Sequence, residues 1–103
     1  MPTFVLMTKL GPQVAGDRRG RKKVGRQWLK LVKKQCPEVK WVAHYALLGR
    51  FDFMDIYEAP DASAAHKVSY LSLAEGAVES ESWHALPYDD YVKLTDGLCK
   101  DDE

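Results

Sequence analysis

Cysteine is scarce in this chain, with Cys36 and Cys99 the only two among 103 residues. They form neither a CxxC pair nor a zinc-type spacing, which excludes a disulfide-stapled miniprotein and a zinc ribbon and leaves two reduced thiols. Long hydrophobic runs are missing too: no stretch of about 18 apolar residues exists, so no segment reads as a membrane-spanning helix. The start of the chain has no secretory apolar region, and a cytoplasmic protein is expected. No repeat or low-complexity segment appears, which argues against a solenoid or a disordered linker. An excess of one charge is also lacking, since 15 Lys and Arg balance 15 Asp and Glu. That neutrality argues against bulk nucleic-acid binding.

The charge is nevertheless segregated. Residues 17–40 hold ten Lys and Arg against two acids, whereas 51–103 hold thirteen acids against three Lys. Such a division favours self-association or a local basic patch. With 46% hydrophobic residues the chain can bury one modest core, so 1–103 is expected to be a single domain with 87–103 as a C-terminal extension. The tail Lys100–Glu103 is expected to fray.

Hydrophobic periodicity then divides the chain. Residues 3–9 are apolar on both alternating faces (Phe4 and Leu6, then Val5 and Met7), as in a central strand closed by Gly11-Pro12. Val24, Trp28, Leu31 and Val32 fall on one side of a helix that starts irregularly near 17–22, is otherwise covered by Lys and Arg, and stops at Pro37. Residues 39–48 and 51–59 read as a hairpin around Gly49-Arg50, with a type II′ turn expected. Asp61 is positioned to cap a second helix over 62–75, with Ala65, Val68, Leu71 and Ser72 inward and Gly76 as its stop. Residues 77–86 alternate as a fourth strand, and 88–96 form a short helix bearing Tyr88, Tyr91 and Leu94.

The order βαββαβ, with right-handed crossovers, gives an α+β ferredoxin-like sandwich: a four-stranded antiparallel sheet in the order 4-1-3-2 with two helices on one face. A two-residue turn sets the hairpin register. Leu48/Phe51, Ala46/Phe53, His44/Asp55 and Val42/Tyr57 then share one face, and Leu47/Asp52, Tyr45/Met54, Ala43/Ile56 and Trp41/Glu58 the other. The Met54–Ile56 face is expected beneath the helices. The aromatic His44–Tyr57 face is expected to be covered by a second copy or a ligand.

Three stretches carry a family resemblance: Thr8-Lys9-Leu10, Leu48-Gly49-Arg50-Phe51-Asp52 and Glu58-Ala59-Pro60-Asp61. Over roughly residues 3–86 the chain resembles the GYD-domain family, with Phe51 where that family usually has Tyr. The resemblance implies a dimeric α/β barrel, two sheets packed face to face, in a group that includes small monooxygenases, isomerases, haem-binding enzymes and stress-response proteins. It implies a homodimer or higher oligomer more than any particular chemistry.

Candidate site residues follow from the uncovered face. His44 and Asp55 lie opposite each other, so a carboxylate can orient an imidazole as a general base. Arg50 is suited to a carboxylate or phosphate, or else pairs with Asp52 across the turn. Phe53, Tyr57, Trp83 and His84 complete a small-molecule site at the sheet face or dimer seam. No metal-ligand spacing is present, and the residues name no cofactor. The first alternative is a cofactor-independent monooxygenase- or isomerase-like enzyme using His44 and Asp55. The second is an RNA-binding module stacking bases on Phe51 and Phe53, against which Arg50, Asp52 and Asp55 stand.

Overall fold

The structure is a computed structural model that describes residues 1–12 and 18–98. Its elements are β1 (Thr3–Leu10), α1 (Arg18–Gln35), β2 (Lys40–Ala46), β3 (Phe53–Glu58), α2 (Ala62–Ala74), β4 (Ala77–Ala85) and α3 (Tyr88–Thr95). α1 is helical from Arg18 onward, without the irregular start expected over 18–22; Asp17, the side chain of Val24, and Cys99 with the tail after it lie outside the described residues. The strands form one antiparallel sheet in the order β2-β3-β1-β4, with doubly apolar β1 in the interior. This is the α+β ferredoxin-like arrangement that the periodicity predicts.

Local chemistry sets the boundaries of α2. The Asp61 carboxylate accepts from the Ala64 N–H at 2.9 Å, satisfying one of the orphan donors of the first turn. At the other end the Gly76 N–H donates to the Leu73 carbonyl at 3.3 Å. Gly76 has φ 115°, a left-handed value that only glycine takes cheaply.

The hairpin keeps its expected register through Ala46↔Phe53, Tyr45↔Met54, His44↔Asp55 and Ala43↔Ile56, then slips by one residue. A bulge at Val42 brings Trp41, rather than Val42, opposite Tyr57. The loop is also wider than a two-residue turn. The strands end at Ala46 and Phe53, and Gly49 has φ 156°, far beyond the roughly +60° of a II′ turn.

The two sheet faces are exchanged relative to the sequence expectation. Residues His44, Phe53, Asp55 and Tyr57 do share a face, but that face lies beneath α1 and α2. Tyr57 is 0% exposed and belongs to the core with Phe4, Leu6, Val68 and Cys36. The reason is volume: α2 presents Ala64, Ala65, Val68 and Ser72, side chains too small to fill the layer alone. Aromatics from the sheet and α1 fill it. Trp28 packs edge-on to Trp41 at 5.1 Å, Trp41 lies 5.1 Å from Tyr57, and Tyr57 stacks on Phe4 at 5.5 Å. Burial does not orphan the Tyr57 hydroxyl, which shares a hydrogen bond with Ser82 Oγ at 2.8 Å, itself 2.7 Å from Ser69 Oγ. The open face instead carries Val5, Met54, Ile56, Tyr45 and Trp83, the last two about half exposed at 52% and 47%.

Candidate functional site: a cleft between the first helix and the sheet

The C-terminal half of α1 is anchored by Trp28 and the fully buried Val32. Its N-terminal half stands off the sheet, and the gap is a cavity of about 810 Å³. The sheet wall is Thr8, Leu10, Phe53, Asp55 and His44, the end wall is Ser72 and Glu75 of α2's C-terminal region, and α1 forms the roof. That volume falls within the range of roughly 300–1,000 Å³ typical of small-molecule sites.

His44 and Asp55 form the polar focus of the sheet wall. His44 Nδ1 and Asp55 Oδ1 share a hydrogen bond at 2.5 Å, in which the imidazole N–H is the donor when the carboxylate is ionised. A proton held on Nδ1 leaves a lone pair on Nε2 for a bound molecule. The Phe53 ring stacks on the imidazole at 5.4 Å and 24°. The Asp55 side chain is 7% exposed and that of His44 61%. Burial pushes the Asp55 carboxyl above its usual range, and the His44 charge and hydrogen bond oppose that shift. The arrangement can bind a proton donor at Nε2 or accept a proton from one.

The other expected site residues are distributed differently. Tyr57 lies deeper, behind Trp41, and burial raises its phenol pKa against the Ser82 hydrogen bond. His84 shares the covered face but packs on Phe4 at 5.4 Å, on the β4 side of the sheet. Trp83 has the opposite parity and meets Phe51 edge-on at 6.4 Å. Arg50 does not pair with Asp52: its guanidinium lies 3.3 Å from Glu79 and 5.2 Å from the Phe51 ring centre. Asp52 is engaged elsewhere, accepting from the Leu10 N–H at 2.7 Å while its own N–H donates to the Thr8 carbonyl at 2.9 Å. Thus the Gly-Arg-Phe-Asp stretch fastens the hairpin loop to the end of β1.

Sequence reasoning missed the roof. Lys22, Arg26, Leu29 and Lys33 line the cavity from α1, and their spacing of i, i+4, i+7 and i+11 marks one helical stripe. The signal was present, but the general basicity of the helix masked it. Trp28 and Trp41 also line the cavity, and their buried indole N–H groups and the Ser72 hydroxyl have no partner among the described residues. No three of His, Cys, Asp and Glu converge as a metal-binding group among those residues, and no described helix is long and apolar enough to cross a membrane.

Comparison with known proteins finds a family and a relative. The family model described as GYD domain matches residues 4–95. The chain is 30% identical over 95 residues to a "Glutamine synthetase and cystathionine beta-lyase binding protein" of Thermus thermophilus, covering 89% of this chain and 96% of that protein. No solved structure matches the chain significantly.

Proposed function

Because the chain belongs to the GYD-domain family, we propose that it is a small cytoplasmic binding protein that holds a small molecule in the cleft beneath α1 and self-associates through its open sheet face. The observation that carries this reading is the 810 Å³ cleft with the His44–Asp55 pair in its wall. The relative's name describes a binding protein whose partners are enzymes. For this chain, a protein partner joins the small molecule and the second copy as an expected associate. Self-association rests on the exposed Tyr45 and Trp83 beside half-buried Val5, Met54 and Ile56, an apolar surface that water covers poorly. Residues 1–103 form one domain in this reading, with 87–103 as its extension.

A second reading is a cofactor-independent enzyme with His44 as base and Asp55 as its orienter. It is supported by the short Nδ1–Oδ1 contact and by the exposure of the imidazole. RNA binding has the least support: Phe51 meets Trp83 whereas Phe53 stacks on His44, so the two rings do not share one platform.

Native mass spectrometry of the protein as purified tests the main reading. A homo-oligomer carrying a small-molecule adduct is expected, and a bare monomer would count against both parts. The enzyme reading requires a turnover that His44→Ala abolishes while the fold and assembly persist.

A further inference from the structure

Three cations line the α1 side of the cleft, Lys22, Arg26 and Lys33. Among the described residues none of them is in an ion pair. The opposing acids are two, Asp55 and Glu75, and Asp55 is already tied to His44. Between these charges the wall is mainly apolar, with Trp28, Leu29 and Phe53 among its residues. Gly25 sits on the same lining, and a Cβ built there would meet no atom within 4 Å. A mid-helix glycine is less favourable than alanine, and no packing contact requires it here. A side chain longer than methyl at this position has that open space to fill.

We propose that the cleft takes small organic anions, with a single carboxylate held by Arg26 together with Lys22 and Lys33 and an apolar body laid against Trp28, Leu29 and Phe53. This rests on the reading of the cleft as a ligand site and adds the chemical class of its ligand. A guanidinium fits a carboxylate through two parallel N–H donors, and its weak hydration makes the exchange of water for ligand cheaper than for an ammonium. The free His44 Nε2 supplies a second recognition point for a ligand that also carries a hydroxyl or N–H group.

The test uses the full-length protein and three probes of one shape: 4-phenylbutyrate, 4-phenylbutanamide and 4-phenylbutylamine. Affinity is read by calorimetry, and location by the indole N–H signals of the three tryptophans in ¹⁵N-labelled protein. Trp28 and Trp41 line the cleft, whereas Trp83 lies on the opposite sheet face and is an internal control. The anion is expected to bind at least tenfold more tightly than the amide or amine and to move the Trp28 and Trp41 signals but not that of Trp83. Arg26→Gln should weaken the anion roughly tenfold and leave the amide unchanged. Gly25→Leu should block all three probes, with the far-UV circular dichroism and the Trp83 signal unchanged as the control for folding. If amide and amine bind as tightly as the anion, with the same signals moving and Gly25→Leu still blocking, the ligand class is wrong and the cleft stands. If no probe binds at millimolar concentration, or binding moves only Trp83 or survives Gly25→Leu, both fall.

Discussion

The carboxylate of Asp52 accepts a hydrogen bond from the backbone N–H of Leu10, 42 positions away in sequence. Asp52 also donates its own N–H to the Thr8 carbonyl, so the hairpin loop extends the β1–β3 ladder ahead of the first residue of β3. Lys9 adds a third tie by donating from Nζ to the Arg50 carbonyl at 3.1 Å. Asp52→Ala is expected to cost about 1–3 kcal/mol, because it leaves the part-buried Leu10 donor unpaired. Urea denaturation measures the loss. Hydrogen exchange should show faster opening at Leu10 than at residues in the middle of β1.

Tyr57 offers a separate test of the core. Removal of its hydroxyl in Tyr57→Phe keeps the ring contacts with Phe4 and Trp41 but leaves Ser82 with Ser69 alone. A loss of about 1 kcal/mol is expected. Tyr57→Ala also removes the ring and should cost about 3–5 kcal/mol, as large-to-small changes of core aromatics do. If Tyr57 instead faced a partner across the open side of the sheet, Tyr57→Ala would dissociate the assembly and spare the fold.

The buried Asp55 makes stability depend on pH with a sign opposite to that of most carboxylates. Desolvation raises its folded-state pKa, with His44 acting against the rise. The folded protein therefore binds the Asp55 proton more tightly than the unfolded chain does, and this contribution favours folding at low pH. It is fully present below the unfolded value of 3.8 and is lost as pH rises through the folded pKa. The difference in unfolding free energy between the parent protein and Asp55→Asn should accordingly move against the parent as pH increases across that window. Other acids cancel in the difference. A parent that gains stability relative to the variant over the same range would contradict the burial argument.

On the open face, a charge placed among the apolar side chains should prevent the proposed self-association. Ile56→Lys lies beside Val5 in the β1–β3 register, and Tyr45→Lys lies beside Met54 in the β2–β3 register. Each is expected to shift sedimentation toward monomer while leaving the far-UV circular dichroism of the fold intact. A variant inside the cleft, such as Arg26→Gln, should leave the oligomer unchanged.

Much of this was legible because it depends on local pattern. Apolar β1, the Asp61 cap, the Gly76 stop and the alternation of β4 identify the elements, and the hairpin arithmetic pairs His44 with Asp55 correctly. The choice of which face the helices cover was not legible in the same way, because both faces of β3 are apolar enough to be buried. Met54 and Ile56 competed with Phe53 and Tyr57, and the outcome was decided by the small side chains of α2 and by Trp28 on α1, neither of which the strand pattern reports. The bulge at Val42 was equally hidden, since nothing in the run Trp41-Val42-Ala43 marks an extra residue. The cleft itself lies between α1, the sheet and the end of α2, a relation between distant elements that no local window contains.

That bulge has a further consequence, because β2 is a border strand of the sheet. An uninterrupted border exposes a regular row of amide donors and acceptors to which any extended peptide can add, the route by which sheets fuse into fibrils. Here the row is broken at Val42, and Lys40 puts an ammonium at its beginning. This border of the sheet is thereby guarded against runaway lateral growth.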